Sequence, residues 1–201
     1  MKNESDVLKL IRHMRELGLM TLGRAACEVT FSEMMRPYAH ALAVGIAAHG
    51  AEIVLKSRIA EKDPLAIFKT IPKTSAMAGQ PAIEELLEYG RTIQYSDIPR
   101  VMLTTVGIEM KRVEQYLQFG RLRYRVLHLG APDADYSAAT HKFIFEVMEP
   151  LVNEFWNESI VPYVGEYDET AISDGYLTEV LNNCGVKVSE GLQARLEREK
   201  D

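Results

Sequence analysis

The sequence predicts an all-α protein, and three observations support this prediction. Apolar residues recur at spacings of three and four in several long segments, which is typical of helices with one buried face. No segment alternates apolar and polar residues with a period of two, and no internal repeat occurs. The length of 201 residues and the 47% hydrophobic content fit one soluble domain, or one domain with an appendage. We therefore expect a helical bundle.

Two helices are predicted in the first third of the chain. The first runs from about Ser5 to Leu17, ends at Gly18, and presents an apolar face formed by Val7, Leu10, Ile11, Met14 and Leu17. The second and longest extends from Pro37 to Lys62, because the residue before Pro64 avoids the α region. The first half of this helix is apolar on almost every side, so we expect it at the centre of the bundle.

A connection and two short helices are predicted next. The stretch Leu65–Pro81 contains prolines, a glycine and small residues, which is typical of a connection, and Ala82–Tyr89 is predicted as a short amphipathic helix. A Ser-Asp pair followed by Pro99 combines a capping residue with a proline in the first turn. A helix is therefore predicted from this point to Val106.

The second half of the chain is predicted to hold a long helix, a kinked helix and a terminal helix. The long helix covers Ile108–Leu127 and ends near Gly130, and its buried stripe is predicted to be Val113, Leu117, Gly120, Tyr124 and Leu127. The next helix continues past Pro150, where we expect a kink, and its candidate caps are Asp133, Asp135 and Ser137. The terminal helix is predicted from about Ser189.

Composition and motifs argue against several classes of protein. The longest run without a polar side chain, Ala41–Ala48, is far shorter than the roughly 18 to 20 apolar residues of a membrane span. The charged N-terminus lacks the apolar core of a secretory signal, so we expect a cytoplasmic protein that does not enter a membrane. No histidine pairs with another at helical spacing and no Glu-x-x-His occurs, so neither a metal site nor a cofactor is predicted.

Charge is segregated along the chain, although the net charge is only −6. From Phe143 to Val186 there are nine acidic residues and no lysine or arginine. Between Lys111 and His128, by contrast, the cations are Lys111, Arg112, Arg121, Arg123 and Arg125, against the single acid Glu114. The acidic total disfavours nucleic-acid binding over the whole surface and leaves this basic segment as the candidate site.

Three cationic or titratable side chains of the basic segment share one helix face. Arg121, Arg125 and His128 are spaced i, i+4 and i+7, and at about 100° per residue they project in one direction. Arginine offers a planar fork to phosphate oxygens, and histidine exchanges protons near neutral pH. This face therefore suits phosphodiester chemistry. The alternative is a solvated face, or arginines that pair with the acids of the next helix.

The string RYRVLH, from Arg123 to His128, resembles the Arg-x4-His signature of the HEPN superfamily. That superfamily consists of all-α bundles and includes many metal-independent ribonucleases of prokaryotic defence and toxin systems. The central helix, in which Glu52 and Lys56 lie one turn apart, and the segment FIFEVMEPLVNEFW are also similar to HEPN-like proteins. The resemblance covers about residues 38–156. It implies an up-and-down helical bundle over residues 1–157, followed by an acidic extension with a terminal helix over 158–201.

The resemblance also implies an activity and a set of site residues. Arg123 and His128 would be catalytic in an endoribonuclease that uses attack by the 2′-hydroxyl, and RNA or its phosphates would be bound by Arg121, Arg125, Tyr124, Lys111 and Arg112. On a straight helix Arg123 and His128 lie roughly 140° apart, so a homodimer would be needed to bring two motifs into one cleft. A cognate antitoxin or an effector protein is the implied protein partner.

Tyr124 departs from the family pattern, in which Asn, Asp or His follows the arginine. It also lies on the predicted apolar stripe, so a core tyrosine is the alternative interpretation. A second hypothesis for function is therefore a non-catalytic dimer that binds RNA or serves as a scaffold or antitoxin. In a third, the acidic tail from Ser159 binds another protein or folds over the basic face of its own chain.

Overall fold

The all-α prediction is confirmed by a computed structural model of the chain, which describes residues 2–31, 38–70, 83–130, 132, 135–169 and 175–198. The helices in these residues are α1 (Lys2–Thr30), α2 (Ala39–Ala60), α3 (Ile83–Tyr89), α4 (Ile98–Val106), α5 (Val113–Leu129), α6 (Tyr136–Lys142), α7 (Glu149–Trp156), α8 (Val161–Gly165), α9 (Tyr176–Asn183) and α10 (Glu190–Arg198). A π-helical turn, Phe143–Met148, joins α6 to α7. The predicted helix start at Pro37, the connection from residue 71 onward and the candidate cap Asp133 lie outside the described residues.

The chain divides into two compact units. The first unit contains Met1–Leu17 and Glu52–Lys111, and the second contains Gly18–Ala51 and Arg112–Asp201. The boundaries fall inside α1 and α2, so each of these helices contributes to both units. The basic segment from Arg112 to His128 belongs to the second unit.

The first unit contains a small two-stranded sheet. β1 (Phe68–Thr70) pairs antiparallel with β2 (Arg91–Thr92), and β1 lies within the stretch predicted as a connection. Lys56 of α2 is buried, pairs with Glu52 at 2.6 Å and donates a hydrogen bond to the hydroxyl of Thr92 at 2.8 Å. A buried ammonium group needs such partners, because removing it from water is costly. Glu52 and Lys56, one turn apart, thus form an ion pair, and Lys56 also ties α2 to the sheet.

The prediction that the first helix ends at Gly18 is wrong. α1 continues to Thr30 because its glycines are points of close packing in the second unit. A Cβ atom on Gly50 of α2 would lie 3.0 Å from the carbonyl oxygen of Gly18, and one on Gly23 would overlap the backbone carbonyl of Tyr163. A helix-interior glycine lowers helix stability slightly, and here it permits backbones to approach more closely than any side chain would allow.

Segment 136–156 is the centre of the second unit. The side chain of Asp135 caps α6 by accepting a hydrogen bond from the N–H of Ala138 at 2.8 Å. One of the three candidate caps is thereby confirmed. The kink expected at Pro150 stays a prediction; a π-helical turn ends two residues before the proline. A proline has no N–H to donate to the preceding turn, so the hydrogen-bond pattern changes around it.

The C-terminal residues contribute to the core of the second unit. Their buried side chains include Leu177, Leu181, Val186, Leu192 and Leu196. The carboxylate of Glu149 is 3% exposed and accepts hydrogen bonds from the hydroxyl of Ser159, the N–H of Ile160 and the guanidinium of Arg195, all within 2.8 Å. Because this carboxylate is satisfied by three donors from the chain that follows α7, it anchors α10 to the rest of the unit.

We predict that Gly23→Ala destabilises the protein by about 1–3 kcal/mol, because the added methyl group overlaps a backbone carbonyl that cannot rotate away. The matched control is Gly191→Ala in α10, where nothing lies within 4 Å of the new methyl group. The control should change the free energy of unfolding by less than about 1 kcal/mol. Urea unfolding of both variants is the measurement, and equal stabilities would contradict the packing role of Gly23.

A histidine that the sequence analysis did not single out is buried in the second unit. The Nδ1–H of His141 donates to the carbonyl oxygen of Ser137 at 3.0 Å, and its Nε2 lies 3.1 Å from the hydroxyl of Thr30. The pKa of His141 is lowered to about 4, mainly by burial and to a smaller extent by the charge of His40, whereas the bond to Ser137 and the charge of Asp135 oppose the shift. The imidazole is therefore neutral at physiological pH.

We predict that the free energy of unfolding falls as the pH is lowered from 6.5 to about 4, because His141 is neutral in the folded protein. In this window the unfolded chain takes up a proton at His141 and the folded chain does not, so unfolding is favoured by up to about 3 kcal/mol. The measurement is the free energy of unfolding against pH for wild type and His141→Asn. In the variant, the free energy of unfolding should lack the pH dependence that His141 contributes. The carboxylates contribute equally to the pH dependence of both proteins. Identical slopes would contradict the assignment.

Candidate nucleic-acid interface

α5 carries most of the predicted site residues, and it is unbroken through all of them. It ends where the sequence predicts, at Gly130, whose positive φ of 55° suits a glycine at a helix C-terminus. Because the helix continues past His128, Arg123 and His128 remain roughly 140° apart around its axis. Arg123 is half-buried and His128 is exposed. Within one chain, therefore, the two residues of the Arg-x4-His string do not converge.

The predicted buried stripe of this helix is wrong. Val113, Tyr124 and Leu127 are exposed, and the buried residues of α5 are Tyr116 and Phe119. The reason is aromatic packing against the π-helical turn: the ring of Phe119 stacks on that of Phe143 at 3.8 Å between centroids. The predicted face and the observed face of α5 both contain apolar residues that could be buried. The segment that packs against α5, here the π-helical turn, decides which face is buried.

Tyr124 is a surface residue, so the interpretation as a core tyrosine is also wrong. Its side chain is 58% exposed, and its ring lies 4.9 Å from the ring of His128, one turn further along α5. The two rings form a small aromatic pair at the C-terminal end of the helix. Tyr124 is thus on the outside of the unit, where a ligand can reach it.

Two of the predicted phosphate-binding residues line an open groove. Arg121 and Arg125 of α5 face Lys142 of α6 across a cavity of about 420 Å³, which we call the basic groove. The remaining lining residues are Gln115, Gln118, Phe119, Leu122, Ala139, Phe143, Glu146 and Val147. The groove therefore combines an apolar floor with three cationic side chains and two amides.

Among the residues that the structure describes, Glu146 is the only acid that lines the basic groove, and its charge is compensated. Glu146 forms an ion pair with Arg112 and accepts a hydrogen bond from the backbone N–H of Lys187 at 2.9 Å. Arg121 lies 4.0 Å from Glu114, but both side chains are more than 60% exposed, so this pair contributes little. The described lining residues therefore carry a net positive charge, despite the acidic total of the chain.

Arg112 and Lys111 are not among the lining residues of the basic groove. Arg112 precedes α5 and holds Glu146 of the π-helical turn, which matches the alternative in which an arginine pairs with an acid of the next helix. Lys111 is exposed in the turn before α5 and belongs to the first unit. The structure thus brings Arg121 and Arg125 together in one groove and engages Arg112 in a salt bridge.

The sequence analysis missed three polar residues of the basic groove. Lys142 was passed over because it lies on another helix, although it is the last cation before the stretch without lysine or arginine. Gln118 precedes Arg125 by seven residues, which is about two turns, and Gln115 lies about one turn before Gln118. This repeat of polar residues along one face was the available signal.

Comparison of the chain with protein-family models, curated proteins and solved structures gave no match. Among the helices of the described ranges, none is both long and apolar enough to cross a membrane. Within the same residues, no three His, Cys, Asp or Glu side chains gather in a way that could hold a metal ion.

Proposed function

We propose that this protein binds RNA, and that the basic groove of the second unit is its phosphate-binding surface. The observation that carries the proposal is the convergence of Arg121, Arg125 and Lys142 on one open groove. Glu146, the one carboxylate among the described lining residues, is paired with Arg112. Cationic side chains that converge on one groove favour polyanions. The resemblance of residues 123–128 to the HEPN signature favours RNA as the polyanion.

The exposed end of α5 extends this surface beyond the groove. Tyr124 and His128 form an aromatic pair next to Arg125, since Tyr124 directly precedes it and His128 follows three residues later. Aromatic rings beside arginines are common where single-stranded nucleic acid binds. Bases can stack on the exposed tyrosine while the phosphates contact the arginines. The proposal therefore uses both the charge of the groove and the rings beside it.

A second candidate function is metal-independent RNA cleavage, and the exposure of His128 on the same face as Arg121 and Arg125 favours it. In this reaction His128 removes the proton of a 2′-hydroxyl, and the 2′-oxygen forms a bond to phosphorus. The bond between phosphorus and the 5′-oxygen breaks, and the leaving 5′-oxygen takes up a proton from water. The products are a 2′,3′-cyclic phosphate and a 5′-hydroxyl. Arg125 would stabilise the charge on the phosphoryl oxygens, and Arg123 would be supplied by the second chain of a homodimer.

We predict that the double variant Arg121→Ala/Arg125→Ala binds labelled single-stranded RNA at least about tenfold more weakly than wild type. Loss of two phosphate contacts should also reduce the slope of log affinity against log salt by about 1 to 2. Fluorescence anisotropy at several salt concentrations is the measurement. The matched control is Arg100→Ala, an exposed arginine of α4 in the first unit. Equal losses in the two proteins would mean that RNA contacts cations without preference for the groove.

We predict that His128→Ala lowers any RNA cleavage by wild type about 10²- to 10⁴-fold in the presence of EDTA, because a positioned proton-transfer group is lost. Cyclic phosphate ends identify the reaction, and His49→Ala is the control because His49 is an exposed histidine of α2. RNA binding by wild type without cleavage would eliminate the catalytic candidate and leave the binding function intact. Cleavage that is equal in both variants would exclude His128 from the mechanism.

A further inference from the structure

The floor of the basic groove is apolar, which phosphate binding alone does not require. It is built from Phe119 and Leu122 of α5 and from Phe143 and Val147 of the π-helical turn. Concave sites with an apolar lining and a few placed polar groups are typical of small-ligand pockets, and a volume of about 420 Å³ lies in their range. A ligand that fills this groove must therefore present an apolar surface as well as negative charge.

Polar side chains in the basic groove are sorted by type along its length. The amides of Gln115 and Gln118 come first along α5, and the guanidinium groups of Arg121 and Arg125 follow. From Gln118 to Arg125 the helix rises about 10 Å, which is of the order of the length of one nucleotide. An amide both donates and accepts hydrogen bonds, which suits the edge of a base, whereas a guanidinium suits a phosphate.

The wall of the groove opposite α5 is held in place. Its middle section is the π-helical turn, and turns of this kind occur often at functional sites. Glu146 fixes this turn from two sides, through Arg112 and through the N–H of Lys187. Because these bonds hold the wall in position, less free energy is lost in ordering the groove when a ligand binds.

We propose that the basic groove is a subsite for one unstacked nucleotide. The base lies on the apolar floor with its polar edge toward Gln115 and Gln118, and the phosphate lies between Arg121, Arg125 and Lys142. The inference rests on the proposed RNA binding, which it deepens. The nucleotide has two sources, a base turned out of a single strand or a free mononucleotide, and both present the same chemistry to the groove. A stacked duplex cannot place a base in the groove.

The test compares four probes on the full chain: a single-stranded RNA, a blunt duplex of the same sequence, adenosine monophosphate and inorganic phosphate. The blocking variant is Ala139→Phe, because Ala139 lines the groove and a larger side chain fills it while all three cations remain. Gln118→Ala is a second variant that removes a contact to the base and leaves the volume open. Circular dichroism and the urea midpoint establish that each variant is folded.

We expect wild type to prefer the single strand over the duplex by about tenfold or more, and Ala139→Phe to lose this preference while retaining salt-dependent binding. Gln118→Ala should lose part of the preference for the single strand. Adenosine monophosphate binding that exceeds phosphate binding, and that Ala139→Phe abolishes, would assign the subsite to a free nucleotide. Equal affinity for strand and duplex, together with no preference for the mononucleotide over phosphate, would overturn the subsite and leave RNA binding in place. Absence of all RNA binding would instead refute the proposed function. The affinity for adenosine monophosphate compared with that for phosphate would then be the only test of the subsite.

Discussion

The stacking of Phe119 on Phe143 is the contact on which the arrangement of the second unit depends. It joins α5 to the π-helical turn, and Tyr116 packs beside it with its ring 6.2 Å from that of Phe143. Once these rings are buried, the rotation of α5 about its axis is fixed. Arg121 and Arg125 then face the groove, and Tyr124 faces solvent. A helix of the same sequence with another stripe buried would present a different set of charges.

Two carboxylates one turn apart connect this contact to the rest of the unit. Glu146 holds Arg112 and the backbone of Lys187, and Glu149 holds Ser159, Ile160 and Arg195. Both therefore reach forward in the chain to the C-terminal segments. The long stretch without lysine or arginine suggests a solvated acidic surface, but its first two acids form internal bonds. The charge of Glu146 is compensated in the groove, so the described lining residues carry a net positive charge although the whole chain carries −6.

The proposed functions differ in what they require of a second chain. Binding of RNA through the basic groove uses residues of a single chain, since Arg121, Arg125 and Lys142 already lie together. Cleavage through both Arg123 and His128 requires a partner, because these residues diverge around one continuous helix. The resemblance to HEPN proteins supplies the hypothesis of a homodimer, and the geometry of α5 explains why that hypothesis is needed only for catalysis.

Local signals in the sequence determined the fold class, several helix ends and the basic segment. The end of α5 at Gly130 and the cap at Asp135 follow from the backbone freedom of glycine and from the short acceptor side chain of aspartate, which act over a few residues. The continuation of α1 through Gly18, the buried face of α5 and the burial of His141 were decided by tertiary structure. Each of these depends on which segment from a distant part of the chain packs against it. Lys142 joined the candidate site for the same reason, because only the packing of α6 beside α5 places its charge near Arg121 and Arg125.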